Sequence, residues 1–133
     1  MGEARATGAG PVGTGEPLLM IRPGEVYMAD TEAGRRPAVI VSRDELNRGR
    51  WVVAVLITSA HFTTRSTLPH CISFRAREFG LTKDCVAQAE TITYIAVSDL
   101  DLDAGPIGVL DDLRMRDLIK AIGNMLGSDS EPV

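Results

Sequence analysis

Two adjacent arginines, Arg35 and Arg36, stand directly before Pro37 and the apolar run Ala38-Val39-Ile40-Val41. Proline fixes its own φ and biases the residue before it toward an extended backbone, so Arg36 is expected to be presented rigidly at a strand entrance. A guanidinium is a planar fork of N–H donors that stays charged at physiological pH, and a rigid fork suits the oxygens of a phosphate. The alternative is a strand flanked by ordinary solvated arginines.

Charge distribution favours an anionic ligand. The net charge of −4 hides an asymmetry: residues 35–77 carry eight arginines (Arg35, Arg36, Arg43, Arg48, Arg50, Arg65, Arg75, Arg77) against Asp44 and Glu45, whereas the rest of the chain carries six basic and sixteen acidic side chains. A basic surface on an acidic body is one reading; arginines that point in different directions and form scattered ion pairs are the other. Neither a metal nor a cofactor is expected. Cys71 and Cys85 form no Cys-x-x-Cys and have no His at a metal-ligand spacing, which makes them reduced, structural thiols. Asp99, Asp101 and Asp103 resemble the opening of a calcium loop, but Gly105 falls one position late and Leu110 stands where the bidentate Glu belongs. They read as a solvated acidic turn.

The elements that must position Arg36 follow from the hydrophobic pattern. With 133 residues, 44% of them hydrophobic, the chain supports one domain with a core. Residues 1–19 hold five glycines and two prolines without apolar periodicity and read as a disordered extension, which makes Met20 a candidate native start. A turn at Pro23-Gly24 leads into a short alternating strand ending near Asp30, and the loop Thr31 to Arg35 leads to a strand at about 37–42. A polar turn through Asp44, Asn47 and Gly49 precedes the seven apolar residues Trp51 to Ile57, a strand expected to be buried on both faces at the centre of a sheet. After a polar loop at 60–67, strands are expected near 70–74 and 85–88, with Glu90 to Ala96 of mixed character. Asp111 can cap a helix whose buried face would be Met115, Leu118, Ile119, Ile122 and Leu126, with Gly127 ending it and 128–133 as a flexible tail. The fold class is mainly β, a small, strongly bent, barrel-like sheet with one packed C-terminal helix. No run approaches the ~20 apolar residues of a membrane span, and the first residues lack the pattern of a signal peptide, so a cytosolic protein is expected.

The order of short motifs is specific. Pro23-Gly24-Glu25-Val26-Tyr27-x-Ala29-Asp30, Gly34-Arg35-Arg36-Pro37-Ala38-Val39-Ile40-Val41-Ser42, Asp44-x-x-Asn47, Ile57-Thr58-Ser59, Leu68-Pro69, Gly80-Leu81, Asp84-Cys85-Val86 and Gly108-Val109-Leu110 follow one another as in the MazF/PemK toxins, and the resemblance covers about residues 21–127. It implies an SH3-like barrel of the MazF/CcdB type and a homodimeric, metal-independent endoribonuclease. Such an enzyme cleaves single-stranded RNA to 2′,3′-cyclic phosphate and 5′-hydroxyl ends and is neutralised by a cognate MazE-like antitoxin. Carried across position by position, the resemblance makes Arg36 and Thr58 the catalytic pair. Glu32, Arg35, Ser59, His61 and Arg65, near this pair in the sequence, are the candidate substrate contacts. A proton acceptor is harder to place: Glu32 lies four residues before Arg36 and His61 three after Thr58, and His61 has the intrinsic pKa for acid–base work. His70, beside Pro69, reads as structural. Two departures bear on the cleavage sequence. The loop Thr31 to Arg35 is shorter than in many members, and Thr91 stands where some relatives carry a base-contacting Gln.

Other functions remain open on the same fold. A CcdB-like gyrase poison needs a C-terminal Trp-containing end, and the only Trp here is Trp51. A non-catalytic RNA- or antitoxin-binding module is the remaining alternative. Because residues 1–19 carry no core pattern, deleting them should leave activity and melting temperature nearly unchanged; a fall of several degrees on truncation would show that they pack against the domain.

Overall fold

The computed structural model describes residues 20–127; the expected extension 1–19 and tail 128–133 lie outside the described residues. The described residues form seven strands: β1 (Glu25–Thr31), β2 (Gly34–Ile40), β3 (Trp51–Thr58), β4 (Cys71–Phe74), β5 (Cys85–Gln88), β6 (Thr93–Ala96) and β7 (Gly108–Val109). Helix α1 (Asp44–Asn47) and helix α2 (Phe62–Arg65) are single turns, and α3 (Asp112–Leu126) is the one long helix among the described residues. The strands form one antiparallel sheet in the order β4-β5-β3-β2-β1-β7, with β6 branching from β3. This is the mainly β, half-barrel arrangement with a C-terminal helix that the sequence pattern predicts.

Strand β3 changes partner along its length. Trp51–Ala54 pair with β6 and Ile57–Thr58 with β5 on one edge, while Ala54–Leu56 pair with β2 on the other. Where β5 leaves and β6 has yet to begin, the Leu56 N–H would be stranded; the Thr91 hydroxyl accepts it at 2.9 Å and donates to the Gln88 carbonyl at 2.7 Å. Thr91 therefore seals the junction between two half-sheets.

Both faces of the central strands are covered. Val26, Val39, Val55 and Ile57 face a core closed by Leu118 and Ala121 of α3, whereas Tyr27, Ala29, Ala38, Ile40, Val52 and Ala54 face a second core with Ile21, Ile95 and Leu100. Most of the apolar run of β3 has this cause: period-two alternation carries Val52 and Ala54 into one core and Val55 and Ile57 into the other, while Trp51 at its start is exposed. The turn after β2 is largely exposed but is anchored by two buried polar side chains, Ser42 and Asn47. The Asn47 amide donates to the carbonyls of Ile21 (3.1 Å) and Ser42 (2.7 Å), and the Ser42 hydroxyl accepts the Val53 N–H at 2.9 Å, which locks α1 against β3.

Three expectations are corrected. Strand β2 starts at Gly34, inside the stretch read as a loop, because the β1–β2 ladder runs down to the pair Thr31 and Gly34 and leaves only Glu32-Ala33 as the turn. On α3, Ile119 and Leu126 are exposed, while Leu118 and Ala121 are buried with Met115, Ile122 and Met125 packed beside them; the small Ala121 lets the helix approach the sheet and rotates the buried stripe. Its ends are as expected: the Asp111 carboxylate accepts the Arg114 N–H at 2.8 Å, and Gly127 closes it with φ of 84°. The acidic turn is not merely solvated, since Asp101 holds Arg35 at 2.6 Å.

Two glycines let the backbone cross itself above the sheet. A Cβ at Gly80, where φ is +80°, would lie 1.8 Å from the Ile107 carbonyl oxygen, and one at Gly108 would lie 1.9 Å from that of Phe79. Gly105, with φ of +73°, has nothing within 4 Å of its Cβ position. Gly105→Ala should thus cost only left-handed backbone strain, about 1 kcal/mol, whereas Gly80→Ala adds a backbone clash that should raise the loss by at least about 2 kcal/mol. Urea unfolding of the two variants checks the difference; equal losses would show that the segments separate without cost.

Candidate active site

The register of β2 on β3 assembles the site. Ala38 lies opposite Leu56, and two steps further along the antiparallel pair Arg36 comes opposite Thr58 on one face of the sheet. The side chains meet: Arg36 Nη1 donates to Thr58 Oγ1 at 3.1 Å. Arg36 Nε also donates to the carbonyl of Ala33 at 3.2 Å, so the β1–β2 turn clamps the guanidinium from behind. With two of its five N–H groups so used, three stay available to a ligand. Thr58 Oγ1, buried, accepts a second bond from the Ala60 N–H at 3.2 Å. Both acceptor positions of this hydroxyl are filled, and its own proton is left to donate.

Arg36 and Thr58 open into a cavity of about 390 Å³ lined also by Arg35, Ser59, Thr82 and Lys83, with Met28, Leu81, Cys85 and Ile107 as its apolar wall. A volume at the low end of ligand sites takes one small unit rather than a chain. No carboxylate or imidazole is among the lining residues. Cys85 is a wall and not a nucleophile: burial, with Asp84 and Glu78 adding to it, pushes its thiol up to about 11.

The other sequence-predicted residues distribute unevenly. Arg35 lines the cavity, but its guanidinium is engaged by Asp101 at 2.6 Å and Asp30 at 3.5 Å. Ser59 lines the cavity beside Thr58. Glu32 is exposed on the β1–β2 turn and lines a separate hollow with Trp51, Thr91 and Tyr94. His61 is exposed, holds a left-handed φ of 54° ahead of α2, and does not line the cavity. Arg65, in α2, donates to the Ala60 carbonyl at 3.2 Å and likewise stands outside. The basic segment is only partly a surface: Arg43 pairs with Glu45 and Arg75 with Asp84, whereas Arg35 and Arg36 face the cavity. Lys83 reaches the cavity through the packing of Gly80 against Ile107, a distant contact that leaves no local pattern in the sequence. Among the described residues, no helix is long and apolar enough to cross a membrane.

A profile of the PemK-like, MazF-like toxins of type II toxin–antitoxin systems matches residues 22–126. The chain belongs to this family. It is 32% identical over 115 residues to endoribonuclease MazF9 of Mycobacterium tuberculosis (strain ATCC 25618 / H37Rv), a similarity that covers 77% of this chain and 93% of that protein. Its fold matches a solved endoribonuclease in complex with its cognate antitoxin from Mycobacterial species, with a TM-score of 0.67 and 26% identity over 84% of this chain and 99% of that one. The Mycobacterium tuberculosis toxin MazF-mt6 shares the fold at a TM-score of 0.65 and 23% identity, covering 77% and 95% of the two chains.

The Arg35–Asp101 pair gives the site a pH signature. The Ala104 N–H, followed by the Arg35 guanidinium, holds the Asp101 carboxyl below its ordinary value. A carboxylate whose pKa is depressed by folding stabilises above its unfolded pKa, about 3.9, and loses that contribution as pH falls through the folded value. Asp101→Asn, which can still accept from Ala104, should lower stability at neutral pH, and its deficit should shrink as the pH drops below about 3.9. Urea titrations at several pH values check this; a deficit independent of pH would assign it to packing.

Proposed function

We propose that this toxin is a cytoplasmic endoribonuclease that cleaves single-stranded RNA by transesterification, with Arg36 and Thr58 as its catalytic pair. The observation that carries the reading is the 3.1 Å contact between Arg36 and Thr58 at the cavity mouth, with donors of both still unused. The RNA supplies its own nucleophile. The 2′-oxygen attacks the adjacent phosphorus and loses its proton, the bond from phosphorus to the 5′-oxygen breaks, and that oxygen takes up a proton. The products are a 2′,3′-cyclic phosphate and a 5′-hydroxyl. No water enters, so no metal is needed to activate one.

Negative charge accumulates on the equatorial oxygens as phosphorus becomes five-coordinate. The free N–H groups of Arg36 face that charge bidentately, and the Thr58 hydroxyl donates to a further oxygen. Both are fixed on strands, which hold geometry better than loops. Ser59, Lys83 and Arg35 border the cavity and are assigned to the flanking phosphates, Arg35 through what its pairing with Asp101 leaves exposed. Glu32, His61 and Arg65 lie around rather than in it, and are assigned to more distant nucleotides. A homodimer is supported by the apolar residues left exposed on α3, Leu113 and Ile119, and on β3 and β6, Trp51 and Tyr94. A MazE-like antitoxin with an acidic, apolar segment would cover the same cationic mouth and compete with RNA there.

Purified protein and a fluorescent single-stranded RNA test the reading. Cleavage should persist in EDTA, produce 5′-hydroxyl ends, and fail when the 2′-hydroxyl at the cut site is methylated or absent. Arg36→Ala should cost roughly two to three orders of magnitude in rate, and Arg36→Lys should restore little because the fork is lost. Cutting of the 2′-deoxy substrate, or full activity in Arg36→Ala, would overturn the mechanism; an inert parent protein that still binds RNA would favour the non-catalytic module.

A further inference from the structure

Pairing of β4 with β5 brings together three side chains that the cleavage site does not use. Cys71 lies opposite Gln88, and the ladder continues one step past β4 because the Ala89 N–H donates to the His70 carbonyl at 2.9 Å. His70, Cys71 and Glu90 thus meet at one end of the strand pair, with an imidazole nitrogen, the thiol sulfur and a carboxylate oxygen all within 4.8 Å of one another. His70 Nε2 and Glu90 Oε1 are 3.6 Å apart, too long for a hydrogen bond. The Gln88 amide donates to the other carboxylate oxygen, Oε2, at 3.2 Å and holds Oε1 toward the imidazole. None of the three residues lines the cavity of Arg36 and Thr58.

We propose that His70, Cys71 and Glu90 form a binding site for a divalent transition-metal ion, zinc before others. Thiolate, imidazole and carboxylate are the zinc ligands of proteins, and bond lengths of about 2.0–2.3 Å place neighbouring tetrahedral donors about 3.5 Å apart. The His70–Glu90 separation fits two groups sharing an ion better than two groups bonded to each other. Charge also closes: Cys71 releases its proton to solvent on binding, and the thiolate with the Glu90 carboxylate offsets the ion's two positive charges. Burial, then the Glu90 charge, push the Cys71 thiol up, so the ion itself must displace the proton; the nearby Arg65, bonded to the Ala60 carbonyl, works in the same direction as the ion. A water completes the fourth position. Magnesium and calcium, which favour all-oxygen shells, are excluded by the sulfur and nitrogen donors. The ion would tie the start of β4 to the end of β5 and so stabilise the sheet from which Thr58 projects.

The test uses the full chain stripped with chelator and then titrated with zinc, magnesium or cobalt(II). One zinc per chain should bind and raise the melting temperature, magnesium should not, and cobalt(II) should give a thiolate charge-transfer band with visible d–d bands. Cys71→Ser and His70→Ala should lose the charge-transfer band and the zinc shift, respectively. Gln88→Ala should weaken zinc about tenfold to a hundredfold while keeping the band, as loss of a ligand's support does. Cys85→Ser, whose thiol lies at the other end of the strand pair, should bind as the parent does. If Cys71→Ser fails to fold, the exposed Glu90→Gln decides in its place. No charge-transfer band in the parent, a band that persists in Cys71→Ser, or equal stabilisation by magnesium would overturn the site.

Discussion

The hydrogen bond from Arg36 to Thr58 depends on a single alignment, that of β2 on β3. Shifting either strand by one residue would turn Arg36 to the opposite face, because side chains alternate at every step. The alignment is held from both sides. Buried valines and isoleucines on two faces make any slip expose apolar surface, and the Asn47–Ser42 latch fixes the connection between the two strands. A polar pair at a strand end therefore inherits its accuracy from apolar packing several residues away.

The branching of β3 gives the same strand a second duty. Its first half closes one core with β6 and its last residues enter the other half-sheet with β5, so Thr58 projects where the two halves diverge. Such a divergence leaves backbone groups unpaired and space above them. Thr91 meets the first need with one hydroxyl, and the crossing of Gly80 with Gly108 roofs the second. The cavity is what remains between a splitting sheet and a backbone strap.

Much of this was legible in the sequence because the signals were local. The strands at 71–74 and 85–88, the Asp111 cap and the Gly127 terminus are set by apolar runs and capping chemistry. What was not legible depended on partners distant in the chain. The early start of β2 follows from pairing with β1, the exposure of Ile119 from the close approach that Ala121 permits, and the taming of Arg35 from Asp101, sixty-six positions away. The motif order marked Arg36 and Thr58 as a pair, but nothing local in it placed Lys83 at the rim or brought Glu90 to His70 and Cys71.

The clamp on Arg36 has a consequence for binding entropy. A free arginine side chain carries about 2 kcal/mol of rotamer entropy that is lost when it grips a ligand. Here the Ala33 carbonyl and the Thr58 hydroxyl already immobilise the guanidinium, so that loss belongs to folding and not to each encounter with a phosphate. The Ala33 tether is a main-chain atom of a two-residue turn, beyond the reach of side-chain substitution at that position. Sequence drift in the turn can therefore alter what the protein recognises while leaving the cationic fork preorganised.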